Sequence, residues 1–427
     1  MKTMASDETR DTKTSKRRER TETRREKTHK MSTARATVTT TFALTWALVL
    51  TWGEYVVHDI AQRRCAWPEM ENSTRVMVIA DPQVVDEFTY ATLSKGSVGL
   101  AFAEAICDAY IRRAFRAARR RFAPDHFVFL GDLFGHGARG EGDGWDRIRR
   151  RVDAAFDWHR DSFELTNLNY HTIPGNHDIG YSEVIRNHPN ILERHEKWYG
   201  ESNYVARLGG VDFIGVNAMV LDGRGEASDA TWAFIDSLKR EESNYSAPRV
   251  LLTHVPLPNL SQQCGANRNS RVITGRLIGR PKEVVYQDYL TQVTAERLLT
   301  AVEPDVVLSG HDHDQCQVTH RYQSHGRARD ATEITVGTFS ALNGNAAPSY
   351  LMLTVSDNVD ENFKGDRQRS VRYELCYLPD VRRIVKTYVY VAIFCIFAFL
   401  GPPFGELIKP FTNDRKTREM IERFRYA

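Results

Sequence analysis

Five short apolar runs in this chain each break off at a side chain able to hold a cation, which restricts the available folds more than any other feature. Residues 76–80 lead into Asp81, residues 127–130 into Gly131 and Asp132, and residues 170–173 into Pro174, Gly175, Asn176, His177 and Asp178. Residues 250–253 lead into His254, and residues 306–309 into Gly310, His311, Asp312 and His313. Short runs rich in Val, Ile and Leu read as buried strands. In α/β sheets the loops at strand carboxyl ends converge, and ligands gather there. Any single ending of this kind is an ordinary turn or helix cap. Five in order within one domain are hard to ascribe to chance. Glycine precedes the polar group at 131, 175 and 310, where it lets the backbone turn sharply and approach an ion. The donors are carboxylate, amide and imidazole without thiolate, a set suited to manganese, iron or zinc rather than to a structural zinc site.

Between these runs lie longer amphipathic stretches. Residues 100–122 place Ala, Ile, Tyr and Phe on one face and Arg112, Arg113, Arg116, Arg119 and Arg120 outside. Residues 211–216 read as another strand, and 334–336 and 351–355 as closing strands. This alternation predicts a mixed α/β domain over 70–360. A length of 427 residues suits one large α/β domain with appendages. The net charge of +3 is too small to supply the concentrated basic face that nucleic acid requires. The six cysteines (65, 107, 264, 316, 376 and 395) form no CxxC pair, so they do not build the metal centre. Their spacing leaves open whether any of them pair.

The ends differ in composition from the middle. Residues 1–35 are polar and charged with almost no large apolar side chains, and are expected to be a disordered basic tail. Residues 36–57 are expected to form a transmembrane helix, since 38–57 alone reach the roughly 30 Å of a bilayer core. A second span is expected over 385–404, followed by a short basic tail over 405–427. Lys27, Lys30 and Arg35 precede the first span while Glu54 and Asp59 follow it, so the N-terminus is expected to be cytoplasmic and the central domain lumenal. Asn72, Asn244 and Asn259 begin glycosylation sequons between the two spans.

The blocks Asp81-Pro82-Gln83, Gly131-Asp132, Gly175-Asn176-His177-Asp178, His254 and Gly310-His311-Asp312-His313 resemble the signature of the calcineurin-like metallophosphoesterases. With the flanking apolar segments, the chain looks most like the membrane-anchored branch that includes enzymes remodelling GPI anchors. The resemblance implies a four-layer sandwich of two mixed β-sheets flanked by helices, with one or two transmembrane helices. It also implies two divalent metal ions, manganese first with iron or zinc as alternatives. One would be held by Asp81, Asp132 and His313, and the other by Asp132, Asn176, His254 and His311. Asp132 would be shared. Gln83, counted with the metal residues, stands where most of the wider family has histidine. Gly135 stands where many relatives carry an acidic residue. By the same resemblance His177 would protonate the leaving group, and Asp178 would orient His177.

A hydrolase of phosphoester bonds is therefore expected, acting on a phosphodiester. The resemblance suggests removal of ethanolamine-phosphate from a GPI-anchor mannose in the ER or Golgi, with a membrane lipid or GPI-linked substrate as partner and no nucleic acid. A phosphatase of phosphoproteins or other soluble phosphoesters, and a non-catalytic membrane protein of ion homeostasis, are the competing expectations. The run with Arg268, Arg271, Arg276, Arg280 and Lys282 reads either as a site for an anionic substrate or as a solvated insertion. Residues 135–144, with His136, read either as a mobile loop near the site or as an ordinary exposed one.

Overall fold

The computed structural model describes residues 5–158, 169–239, 247–280, 282–356 and 370–412, with backbone alone for 5–20, 27, 30, 31, 34, 35, 38 and 398–412. One compact unit covers Glu54–Val381 and another comprises Met1–Gly53 with Arg382–Ala427.

Within the larger unit thirteen described strands form two main sheets and a hairpin. They are β1 Ser73–Ile79, β2 His126–Phe129, β3 Asn169–Thr172, β4 Tyr204–Leu208, β5 Val211–Gly215, β6 Arg249–Leu252 and β7 Leu277–Arg280. β8 Glu283–Gln287, β9 Val306–Ser309, β10 Cys316–Ser324, β11 Arg327–Thr335, β12 Ser349–Ser356 and β13 Val371–Tyr377 complete the set. The first sheet has the order β13-β12-β1-β2-β3, the second β10-β11-β9-β6-β5-β4, and β7 pairs β8. β1, β2 and β3 run parallel, as do β5, β6, β9 and β11. The outer strands are antiparallel, so both main sheets are mixed.

Alternation along the strands decides what lies between layers. Val76, Val78, Val128 and Leu130 from the first sheet meet Val211, Phe213, Val250, Leu252, Val306 and Leu308 from the second in one buried cluster. The opposite faces carry Met77, Ile79, Phe127 and Phe129, which pack under the helices Val98–Phe122 and Gly142–Ala155. On the far side Ile214, Leu251 and Val307 pack under Glu226–Ser237 and Gln292–Val302. Four layers result, as the resemblance implied. Ser97 caps the first of these helices by accepting the Leu100 N–H, and Ala123 ends it in the left-handed conformation. Two disulfides close the unit. Cys65–Cys376 joins the segment before β1 to β13, and Cys264–Cys316 ties the loop after β6 to the start of β10. Both β13 and residues 54–69 thus extend the expected domain.

The smaller unit departs from expectation. A single helix, Ala5–Thr51, runs through residues read as a disordered tail, followed by one π-helical turn at Trp52–Val56. Among the described residues no helix is long and apolar enough to cross a membrane. The reason is visible in 38–57. Thr39, Thr40, Thr41, Thr45 and Thr51 dilute the apolar run, Glu54 interrupts its end, and the α-helix passes into a π-helical turn at Trp52. Thr45 and Thr51 turn their hydroxyls back onto the carbonyls of Thr41 and Ala47. The second expected span lies within the helix Val381–Thr412, where the side chains of 398–404 fall outside the described residues. Residues 413–427 of the expected basic tail and the sequon at Asn244 also lie outside them.

Candidate metal centre

All five predicted loops come together at the carboxyl edges of the central strands. Backbone bonds hold them side by side. The Asp81 N–H donates to Gly131 O at 3.2 Å, the Gln83 N–H to Asp132 O at 2.9 Å, and the Gly310 N–H to His254 O at 3.0 Å. The chain turns abruptly here. Asp81, Gln83, Asp132, His311 and His313 all have positive φ, between 38° and 68°. Non-glycine residues in that region carry strain that surrounding structure must hold in place. The three glycines are required by space. A Cβ on Gly131 would lie 2.8 Å from His254 Nδ1, one on Gly310 would lie 2.8 Å from Asp81 Oδ2, and one on Gly175 would strike the Asp132 carboxylate.

Two sets of donors result, with ligand atoms within 4.8 Å of one another: Asp81, Asp132 and His313, and Asp132, His254 and His311. Asp132 belongs to both. Asn176 Oδ1 joins the second set, 3.1 Å from His254 Nε2. Buried carbonyls fix the tautomers: His254 Nδ1 donates to Leu130 O at 2.7 Å, and His311 Nε2 donates to Gln287 O at 2.9 Å. His254 therefore presents Nε2 to the centre and His311 presents Nδ1, each strengthened as a donor by its carbonyl partner.

The electrostatics ask for a cation. Asp81 Oδ2 accepts the His311 N–H at 2.9 Å, but its Oδ1 is buried without a hydrogen-bond partner among the described residues and faces His313 Nε2 at 3.5 Å. A buried carboxylate oxygen left in this state is costly unless a positive charge meets it. Burial opposes ionisation of Asp132, yet the charges of His254 and His177 outweigh it and hold that carboxyl well below the usual range. Burial likewise opposes the charged form of His254, but Asp132 prevails and lifts it to about 9. His311 goes the other way, lowered to about 4 by burial and by His254. The carboxylate, amide and imidazole groups fit a pair of divalent ions.

Two expectations are corrected. Asp178 does not orient His177. Its carboxylate accepts the backbone N–H groups of Asp132 at 2.7 Å, Gly175 at 2.8 Å and Phe134 at 3.1 Å, so it braces two ligand loops against each other. Burial and then Asp132 push it up to about 7. The His177 ring is instead held through Nδ1 by the Gly135 carbonyl, while its Nε2 faces Asp132 Oδ2 at 4.0 Å. Gln83 is not oriented as a ligand. Its amide nitrogen donates to Asp132 Oδ2 at 2.9 Å and stands 3.0 Å from His313 Nε2. A neutral amide beside a buried carboxylate gains most by turning its N–H toward it.

Arg268 serves no incoming anion either. Its side chain is buried and donates twice to Asp312, at 2.7 and 2.8 Å, between the two histidines of the last motif. Arg276 is committed to Asp288. Asn259 of the third sequon is buried, and its amide nitrogen donates to Gln263 O at 3.1 Å. Residues 135–144 are ordered: Arg194 donates to Gly137 O and Gly140 O. Sequence reasoning missed Asp86, which accepts the His136 N–H at 2.6 Å. A Cβ on Gly135 would lie 3.2 Å from Asp86 Oδ2, so an acidic side chain from another loop fills the neighbourhood left by that glycine. No spacing rule could have linked residues 86 and 135.

A model of the calcineurin-like phosphoesterase family matches residues 74–315, more than half of the chain, and the chain belongs to this family of hydrolases acting on phosphoester bonds at dinuclear metal centres. Among curated relatives it is similar to cell division control protein 1 of Saccharomyces cerevisiae, 29% identical over 363 residues covering 82% of this chain and 71% of that one. It is also similar to metallophosphoesterase 1 of Ailuropoda melanoleuca, 26% identical over 378 residues covering 82% and 86% of the two chains. Of solved structures, a purple acid phosphatase from yellow lupin aligns with 68% of this chain and 51% of its own, at 12% identity and a TM-score of 0.38.

Proposed function

We propose that this chain is a phosphodiesterase that works with two divalent cations, manganese before iron or zinc. Asp81, Asp132 and His313 would hold one ion and Asp132, Asn176, His254 and His311 the other. The observation that carries this reading is the pair of donor sets sharing the single buried carboxylate of Asp132. Bound there, the ions would lower the pKa of a water molecule and offset charge developing on the phosphoryl oxygens. His177 supplies the proton to the leaving alkoxide. With Nδ1 bonded to the Gly135 carbonyl, its Nε2 is the nitrogen left for the substrate, 4.0 Å from Asp132 Oδ2. Gln83 and Asp178 keep the Asp132 carboxylate and its loop from rotating.

The substrate proposed is a GPI-linked lipid, from which the enzyme would remove ethanolamine-phosphate on a mannose. The site would lie in the lumen of the ER or Golgi, with the N-terminus cytoplasmic. Two disulfides favour an oxidising compartment for the larger unit. Exposed Leu44 and Leu48, with Phe394 and Phe397, favour an apolar environment around the smaller one. The test is the purified full chain with Mn²⁺, assayed on ethanolamine-phosphate-bearing GPI lipid and on a soluble aryl phosphate. Release of ethanolamine-phosphate from the lipid supports the reading. Turnover of the soluble ester alone would replace it with a soluble-substrate phosphatase, and inactivity on both would leave a non-catalytic membrane protein.

A further inference from the structure

The helix Val98–Phe122 turns its arginines toward a second cavity that the metal centre does not use. It measures about 210 Å³ and is lined by Arg112, Arg113, Arg116 and Arg120 from this helix, with Glu54, Tyr55 and His58 opposite. Ala109 and Ala117 line the same cavity and leave room among the long side chains. Arg112, Arg116 and Arg120 recur every four residues, so their guanidinium groups stack on one face. Like charges at that spacing repel and destabilise a helix unless something negative sits among them.

The carboxylates present only partly answer this. Glu54 pairs with Arg113, and Asp157 takes Arg116 and, at 3.3 Å, Arg119. Arg112 and Arg120 have no ion-pair partner among the described residues. Two buried polar atoms at the cavity are also unanswered: Arg112 Nε and His58 Nδ1 lack hydrogen-bond partners among the described residues, and His58 is only 2% exposed. Unpaired buried donors and acceptors are rare in folded proteins, and each calls for a ligand or a water. Guanidinium groups are weakly hydrated forks that match the oxygens of phosphate two at a time.

We propose that this cavity binds a phosphate group, with Arg112 and Arg120 as the principal contacts and His58 at the base. The source favoured is the headgroup of an anionic phospholipid. Residues 54, 55 and 58 directly follow the apolar run 38–53 in sequence, and that run presents Leu44, Leu48 and Leu50 to its surroundings. A basic pocket a few residues from such a run is suited to a charged bilayer surface.

The experiment uses the full chain in mild detergent or reconstituted with vesicles. Binding is measured to phosphatidylcholine vesicles with and without phosphatidic acid, and inorganic phosphate is titrated separately by calorimetry. Wild-type protein is expected to prefer the phosphatidic acid vesicles by roughly tenfold, and Arg112→Gln with Arg120→Gln to lose that preference, as two charge-assisted contacts would. Hydrolysis of an aryl phosphodiester should be unchanged, because neither residue touches the metal centre. Should the double variant fold poorly, Arg120→Gln alone, at an exposed position, reports the same loss in part. Saturable phosphate binding that the variants abolish, with no vesicle preference, would support the site while assigning it to a free anion. Equal binding by wild type and variant to both kinds of vesicle, with no phosphate binding, overturns the proposal.

Discussion

The interior between the two sheets and the loops at their carboxyl edges are built from opposite rules. Between the sheets, Val76, Val128, Phe213, Leu252 and Leu308 are buried in regular strands within one apolar cluster. A few residues further along the same strands, Asp81, Asp132, His311 and His313 adopt left-handed backbone and crowd carboxylates with imidazoles. One region lowers the free energy of the fold and the other raises it. The loops persist because the strands beneath them leave no alternative path, which is the usual bargain at a functional site.

Changes in the two regions should therefore separate activity from stability. The largest effect is expected from Asp132→Asn. Removing the charge shared by both donor sets should cut phosphodiester turnover by about a thousandfold or more, equivalent to roughly 4 kcal/mol of barrier. Thermal unfolding should stay put or rise. A clear fall in melting temperature would show that this carboxylate supports the fold as well, and would blur the contrast.

Leu308→Ala is the complement. A fully buried leucine facing the other sheet should cost about 2–5 kcal/mol in chemical denaturation. Turnover per folded molecule should be preserved below the new transition. Loss of turnover in still-folded protein would mean that the core tunes the site directly.

Gly175→Ala tests the boundary between the regions. The new methyl would collide with the Asp132 carboxylate, so activity should fall by about ten- to a hundredfold, accompanied by weaker Mn²⁺ binding in a competition titration. Unchanged metal affinity would show that the Gly175 loop yields without moving Asp132.

The smallest effect concerns pH, away from the site. Burial depresses His195 to about 3, and neither ring nitrogen has a partner among the described residues. The unfolded chain takes up this proton near pH 6.5 while the folded chain resists it. Stability from this residue is thus full above pH 6.5 and drains as pH falls toward 3. His195→Leu should flatten melting temperature against pH over that window by a few degrees. An identical acid slope in the variant would place the acid sensitivity elsewhere.

Much of the centre was legible because its residues are local punctuation. Each donor follows its apolar run within one to four positions, and the unbroken apolar stretches 76–80 and 306–308 already mark strands buried on both faces. The roles of Gln83 and Asp178 were not legible. Both were assigned by their place in a motif, yet each forms its bonds with a loop some 45 to 50 residues away in sequence, at Asp132. The expected membrane span is not found among the described residues, where threonines and Glu54 dilute a run whose length alone suggested it.

By itself the sequence determined the strands, the residues that end them and the donor chemistry, because hydrophobic alternation and side-chain type are properties of neighbours along the chain. Only the tertiary structure decided that Cys65 pairs with Cys376 and Cys264 with Cys316, that Asp178 braces the Asp132 and Gly175 loops, and that Arg268 is spent on Asp312. Those outcomes depend on distances between segments that nothing in the order of residues measures, and it is packing of the two sheets that sets them.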